Sequence, residues 1–166
     1  MATNRKVVYV DTNVIIEATR TGCWKAILKH FDIRTVDEVR REALRVPTNK
    51  ASYIPIDVKL LTEHVQVERV GAAEVLKASA TAPGLTTLDA GERDLLAYFA
   101  GQKSDAWLLT TADRAAVKTA CDLKLDSKLI SLEELATACG QKPRVSEWYT
   151  KNWLRKIRTE FVLHNL

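Results

Sequence analysis

Two acids close apolar, strand-like runs, and two more lie early in helical patterns. Asp11 follows Val7-Val8-Tyr9-Val10, and Asp113 closes Leu108-Leu109-Thr110-Thr111-Ala112. Glu42 lies in TVDEVRREAL and Asp94 in LDAGERDLLAYFA. In a doubly wound sheet, neighbouring strand ends and the helices after them converge on one crevice. Carboxylates gathered there repel one another and resist ionising together, so the cluster needs a cation, water or shared protons. A hard ion such as Mg²⁺ takes oxygen ligands and keeps several waters. Such an ion orients a water, lowers its pKa and neutralises a phosphodiester. Metal-assisted hydrolysis is therefore a chemistry open to such a cluster.

Each acid also has a purely structural reading. Asp11 can cap the helix that follows it, and Asp113 is a favourable charge in a first helical turn. Thr35-x-x-Glu38, Asp89-x-x-Glu92 and Ser131-x-x-Glu134 have capping-box spacing, which gives Glu38, Asp89 and Glu92 local roles. Glu42 lies one turn beyond Glu38 and could pair with Arg41 or Arg45. The third ligand stays open between Glu92 and Asp94; Asp94, beside Leu95 and Leu96, is the less easily explained by solvation.

The elements that must position these groups alternate. Strand-like runs fall near 7–10, 31–35, 64–70, 106–110 and 128–131, separated by helical patterns. That alternation predicts an α/β fold with a parallel sheet covered by helices. The run HVQVERV alternates apolar with polar residues, which predicts a place near an edge. Loops are expected over 46–55, with Pro47 and Pro55, and over 82–88, around Pro83-Gly84.

The chain has 166 residues, enough for one domain with a real core. No run reaches the roughly 18 apolar residues of a membrane span, and no convincing signal peptide opens the sequence. The three cysteines, Cys23, Cys121 and Cys139, are widely spaced, which argues against a disulfide framework or thiolate zinc site and for a reducing, cytoplasmic setting. No Gly-x-Ser-x-Gly elbow or Cys–His pair appears, so covalent catalysis is disfavoured. The net charge of +4 favours a polyanionic partner.

Residues 141–166 form a second segment after the main unit, 1–140. Tyr149, Trp153, Ile157 and Phe161 recur every four residues, which predicts an amphipathic helix over 146–163 that docks on the domain or on a second copy in a homodimer. Its basic face, including Arg155 and Lys156, could track phosphates, with Trp148 stacking on a base. Arg40, Arg41 and Arg45 make a second basic cluster around Glu42 and could steer an anionic substrate.

The motifs D-T-N after an apolar strand, V-x-x-E from Val39 to Glu42, G-E-R-D-L-L-A from Gly91 to Ala97 and L-L-T-T-A-D from Leu108 to Asp113 together resemble the PIN domain family of nucleases. Their order matches, and the resemblance runs from about residue 7 to 135. It implies a five-stranded parallel sheet with helices on both faces, and Mg²⁺- or Mn²⁺-dependent cleavage of RNA. The residues it carries over are Asp11, Asp94 and Asp113 as metal ligands, with Glu42 assisting, Thr12 or Asn13 supporting the first acid, Thr111 the last, and Glu92 the alternative to Asp94. Many small bacterial members resemble VapC-type toxins, so an antitoxin protein is an implied partner. The basic, tryptophan-rich C-terminal segment departs from the usual pattern. Two other readings compete: a non-catalytic PIN-like module that binds nucleic acid or protein, and a haloacid-dehalogenase-type phosphohydrolase. The second is disfavoured because its D-x-D signature meets Asn13 here.

Overall fold

A computed structural model describes residues 4–45 and 53–166. The first strand, β1 (Val7–Val10), is fully apolar apart from one phenol, and Val8, Tyr9 and Val10 are buried. A strand buried on both faces belongs in the middle of a parallel sheet. It lies there: β1 pairs in parallel with β2 (Asp32–Val36) on one side and β4 (Trp107–Thr110) on the other. The remaining strand, β3 (Val65–Glu68), pairs with β2, which gives the order β3-β2-β1-β4. The alternating strand is therefore at an edge, as its pattern predicts.

Helices connect the strands. The crossover from β1 to β2 carries α1 (Thr12–Arg20) and α2 (Trp24–His30); that from β2 to β3 carries α3 (Asp37–Leu44) and α4 (Val58–His64). Between β3 and β4 come α5 (Ala72–Thr81), a 3₁₀ turn (Pro83–Thr87) and α6 (Ala90–Ala100). After β4 follow α7 (Arg114–Asp122), α8 (Leu132–Ala138) and α9 (Lys151–His164). The fold is α/β with an all-parallel sheet. Among the described residues, no helix is long and apolar enough to cross a membrane.

The sheet has four strands among the described residues, where five runs read as strands. The fifth, near 128–131, is reduced to a single parallel bridge from Leu129 to Leu109 and one bond from Ile130 N to Leu109 O at 2.9 Å. The cause is local. A 3₁₀ turn over Asp126–Lys128 leads in, and Ser131 caps α8 immediately afterwards, so two residues are left to run extended. Ser131 and Glu134 do form the expected capping box. Thr35 does not cap α3: it lies in β2, fully buried, and donates to Val10 O at 2.7 Å. That bond ties the end of β2 to the residue before Asp11. The expected loop over 46–55 falls largely outside the described residues.

The predicted C-terminal helix is broken near its start. Glu147–Tyr149 form a 3₁₀ turn, and Thr150 then caps α9 by accepting from Trp153 N at 3.2 Å. From α9, Leu154 and Ile157 enter the same buried cluster as Val117 and Ala120 of α7. Trp153 and Phe161 flank them, partly buried. The helix thus docks its apolar stripe on the domain.

Candidate active site

Asp11 ends β1 and caps α1. Its Oδ1 accepts from Val14 N at 2.9 Å, and its Oδ2 accepts from Thr111 Oγ1 at 2.8 Å. The second bond spans the gap between β1 and β4, so it requires the strand pairing that aligns Val10 with Thr110. The carboxyl group is only 2% exposed. Burial pushes it up to about 6, against the two hydrogen bonds that favour the anion; Asp113 and Glu42 add repulsion.

Asp113 caps α7, accepting from Ala116 N at 2.8 Å, and Thr111 Oγ1 accepts from Asp113 N at 3.3 Å. Thr111 therefore joins the two acids: it donates to one and receives the backbone of the other. Asp11 caps α1 as its structural reading expects, whereas Asp113, read as a first-turn charge, is itself the cap of α7. The charges of both add to the burial that raises the proton affinity of Glu92.

Glu42 reaches over from α3. Its Oε2 accepts from Thr12 Oγ1 at 2.7 Å and its Oε1 from Gly91 N at 3.0 Å. It thus holds together the starts of α1 and α6. None of the nearby arginines pairs with it: Arg40 bonds Asp37 at 2.9 Å, and Arg41 bonds Glu38 at 2.5 Å and Asp37 at 3.2 Å. With Arg45 they border an open groove on the outer side of α3.

The sequence left the third acid open between Glu92 and Asp94, and the two point different ways. Asp94 accepts from Arg93 Nε at 3.1 Å and is paired with that guanidinium. Glu92 turns inward. Together with Asp11, Thr12, Asn13, Glu42 and Asp89 it lines a pocket of about 110 Å³. Its other side meets Leu95, Leu96 and Leu109. Burial raises the Glu92 carboxyl to about 8, and Asp11, Asp113, Asp89 and Glu42 contribute further repulsion. The expected Asp89–Glu92 capping box is absent: Asp89 occupies the cap position of α6 with no side-chain bond, which frees Glu92 for the pocket.

Asp89 is a pocket residue that sequence reasoning assigned to capping alone. Tyr149 is another addition. Its hydroxyl donates to Asn13 O at 3.4 Å, and burial, followed by the charge of Asp11, pushes its ionisation upward. Its four-residue spacing to Trp153 signalled packing but not proximity to the acids.

Oxygen donors of this kind suit Mg²⁺ or Mn²⁺. No ion pair within the described residues neutralises Asp11, Glu42, Asp89, Glu92 or Asp113. Burial leads in raising the carboxyls of Asp11 and Glu92, and the neighbouring acids add to it. Yet no three His, Cys, Asp or Glu side chains among the described residues converge as a direct ligand set. The donors fit an ion that keeps much of its water and touches one or two carboxylates. No family model matches this sequence, and no curated protein is significantly similar to it.

Proposed function

We propose that this protein is a PIN-like, divalent-ion-dependent endoribonuclease that hydrolyses RNA phosphodiester bonds. One observation carries the reading: Asp11, Glu42, Asp89 and Glu92 line one pocket, Asp113 is tied to Asp11 through Thr111, and no ion pair among the described residues engages any of the five. One or two of Asp11, Glu92 and Asp113 would touch the ion and the rest would face its waters, so that Glu92 replaces Asp94 in the set inferred from sequence. When bound, Mg²⁺ or Mn²⁺ supplies the charge that lowers the pKa of a water and neutralises the scissile phosphate.

The protein's own groups do the rest. Thr111 fixes the Asp11 carboxylate and the backbone of Asp113 in one frame. Glu42 acts as a positioning residue, bracing Thr12 and the first turn of α6, which presents Glu92. No side-chain nucleophile is required; water attacks in line with the leaving oxygen. Arg40, Arg41 and Arg45, and Arg155 and Lys156 on α9, attract the polyanion toward an acidic pocket that alone would repel it. A VapC-like role, with an antitoxin that silences the enzyme, belongs to this reading, as does a cytoplasmic setting.

A second reading is a non-catalytic module that binds nucleic acid or protein. It is favoured by the commitment of both Asp11 oxygens and both Glu42 oxygens to internal hydrogen bonds. Cleavage of labelled RNA titrated with Mg²⁺ or Mn²⁺ separates the two. Wild type should cut, Asp11→Asn and Asp113→Asn should not, Glu92→Gln should be severely impaired, and Asp94→Asn should retain most activity. Wild type that cuts in no divalent ion, or Asp11→Asn that cuts at the wild-type rate, refutes the hydrolytic reading.

A further inference from the structure

Trp148 is the most exposed aromatic residue of the C-terminal segment, at 53%. An indole left in water at the end of a loose loop would mean little. This one is held out by a tightly stitched turn. Ser146 N donates to the buried carboxylate of Glu17 at 2.7 Å, and Tyr149 N donates to Ser146 O at 3.0 Å. Thr150 closes the turn by donating from both N and Oγ1 to Glu147 O, at 3.1 and 2.6 Å. Tyr149, the next residue, anchors the turn to Asn13 O, and Asn13 lines the acidic pocket. The backbone that carries the exposed ring is thus held on both flanks, and its neighbour Tyr149 reaches a residue of the acidic pocket.

The charges next to it have one sign, apart from Glu147. Lys151 and Arg155 lie one helical turn apart on the exposed side of α9, with Lys156 beside them. No ion pair within the described residues engages any of the three. An exposed aromatic face on a held turn, followed by unpaired cations, matches the chemistry of an unpaired nucleotide strand, whose bases offer π faces and whose backbone offers phosphates. A duplex keeps its bases stacked inside and cannot use an isolated ring this way.

We propose that the Glu147–Tyr149 turn is a stacking platform for single-stranded RNA, with Trp148 taking one base and Lys151 and Arg155 taking the adjoining phosphates. This inference rests on the reading of the acidic pocket as an RNA-cleaving site, and it adds the place on this chain that would hold the strand outside that pocket.

The test is fluorescence anisotropy with labelled oligouridine and with a labelled RNA duplex, both in EDTA so that no cleavage occurs. W148A should bind oligouridine about fivefold to a hundredfold more weakly than wild type, the loss expected for one stacked base. W148F should recover most of that loss while abolishing the quenching of tryptophan fluorescence by RNA. K151A/R155A should lower the salt slope on oligouridine by about 1.4, for two phosphate contacts on a single strand. Far-UV circular dichroism confirms that each variant is folded. Wild type that fails to bind oligouridine, W148A that binds it as wild type does, a folded W148F no better than W148A, or equal losses on the duplex overturn the platform. Cleavage combined with binding indifferent to Trp148 sinks the platform alone. Trp148-dependent binding without cleavage in any divalent ion sinks the hydrolytic reading alone.

Discussion

Gly91 lies so close to Glu42 that a Cβ built on it would fall 2.6 Å from Glu42 Oε2 and 3.0 Å from Val39 Cγ2. The contact exists because Gly91 N donates to Glu42 Oε1, which draws the first turn of α6 onto α3. A carboxylate tip can normally swing aside, but this one is also held by Thr12 Oγ1. Val39 is fully buried and has no room to move.

Gly91→Ala therefore sets two effects against each other. Alanine favours a helix over glycine by up to about 1 kcal/mol. Overpacking a closed contact costs about 1–3 kcal/mol. The second should win, lowering stability by about 1 kcal/mol or more in urea titrations and displacing Glu92, with cleavage falling further than stability. Introducing Gly91→Ala into an Glu42→Ala background should cost less, because the closest atom is gone. A Gly91→Ala protein as stable as wild type would show that the two helices do not meet this way.

Much of this arrangement was legible in the chain, for identifiable reasons. VVYV lacks polar alternation, which places β1 centrally, and HVQVERV alternates, which places β3 at an edge. Asp11 and Asp113 stand out because each lies between a strand and the helix it caps, whereas Glu42 lies near the end of α3 and its reach to Thr12 and Gly91 depends on how the helices pack. Glu92 against Asp94 was not decidable, because the two differ by two helical positions and the outcome depends on Arg93 taking Asp94. Capping-box spacing also misled at two of three positions. Thr35 found a better partner in Val10 O within the sheet, and Asp89 turned toward the pocket. The fifth strand failed because residues 128–131 must serve a 3₁₀ turn and a helix cap as well as a strand.

Glu92 and Asp11 give the metal-free protein an unusual pH dependence. Their carboxyls rise from ordinary values of 4.5 and 3.8 to about 8 and about 6. Both bind protons more tightly folded than unfolded, so the stability they contribute is complete below about pH 4 and is lost as pH rises through 6 and then 8. In EDTA, Glu92→Gln should flatten the fall in Tm between pH 5 and 9, since an amide cannot ionise. Mg²⁺ should raise the wild-type Tm more at pH 8 than at pH 5, where protons compete for the same oxygens. Scanning calorimetry across this range checks both; a Glu92→Gln curve parallel to wild type contradicts the buried placement of Glu92.

Glu17 works with the opposite sign. It is 5% exposed and receives Arg20 Nε at 2.8 Å, Arg20 Nη2 at 2.6 Å and Ser146 N at 2.7 Å. The bonds from Arg20 lead in holding its carboxyl below the usual range. Its contribution is therefore present above about pH 4.5 and lost on acidification. Arg20 also donates to Arg144 O at 3.3 Å, so α1 grips the C-terminal segment through one acid and one base. Glu17→Ala leaves the Ser146 N–H without its partner and should cost about 1–3 kcal/mol. Glu17→Gln retains an acceptor for Ser146 and should cost less, with a smaller further loss between pH 6 and 4 than wild type shows. Hydrogen exchange should rise first in residues 144–150 of Glu17→Ala. Oligouridine binding should weaken in parallel, because Trp148 stacks only while its turn is held. Exchange that rises uniformly along the chain would mean Glu17 supports the core rather than the platform.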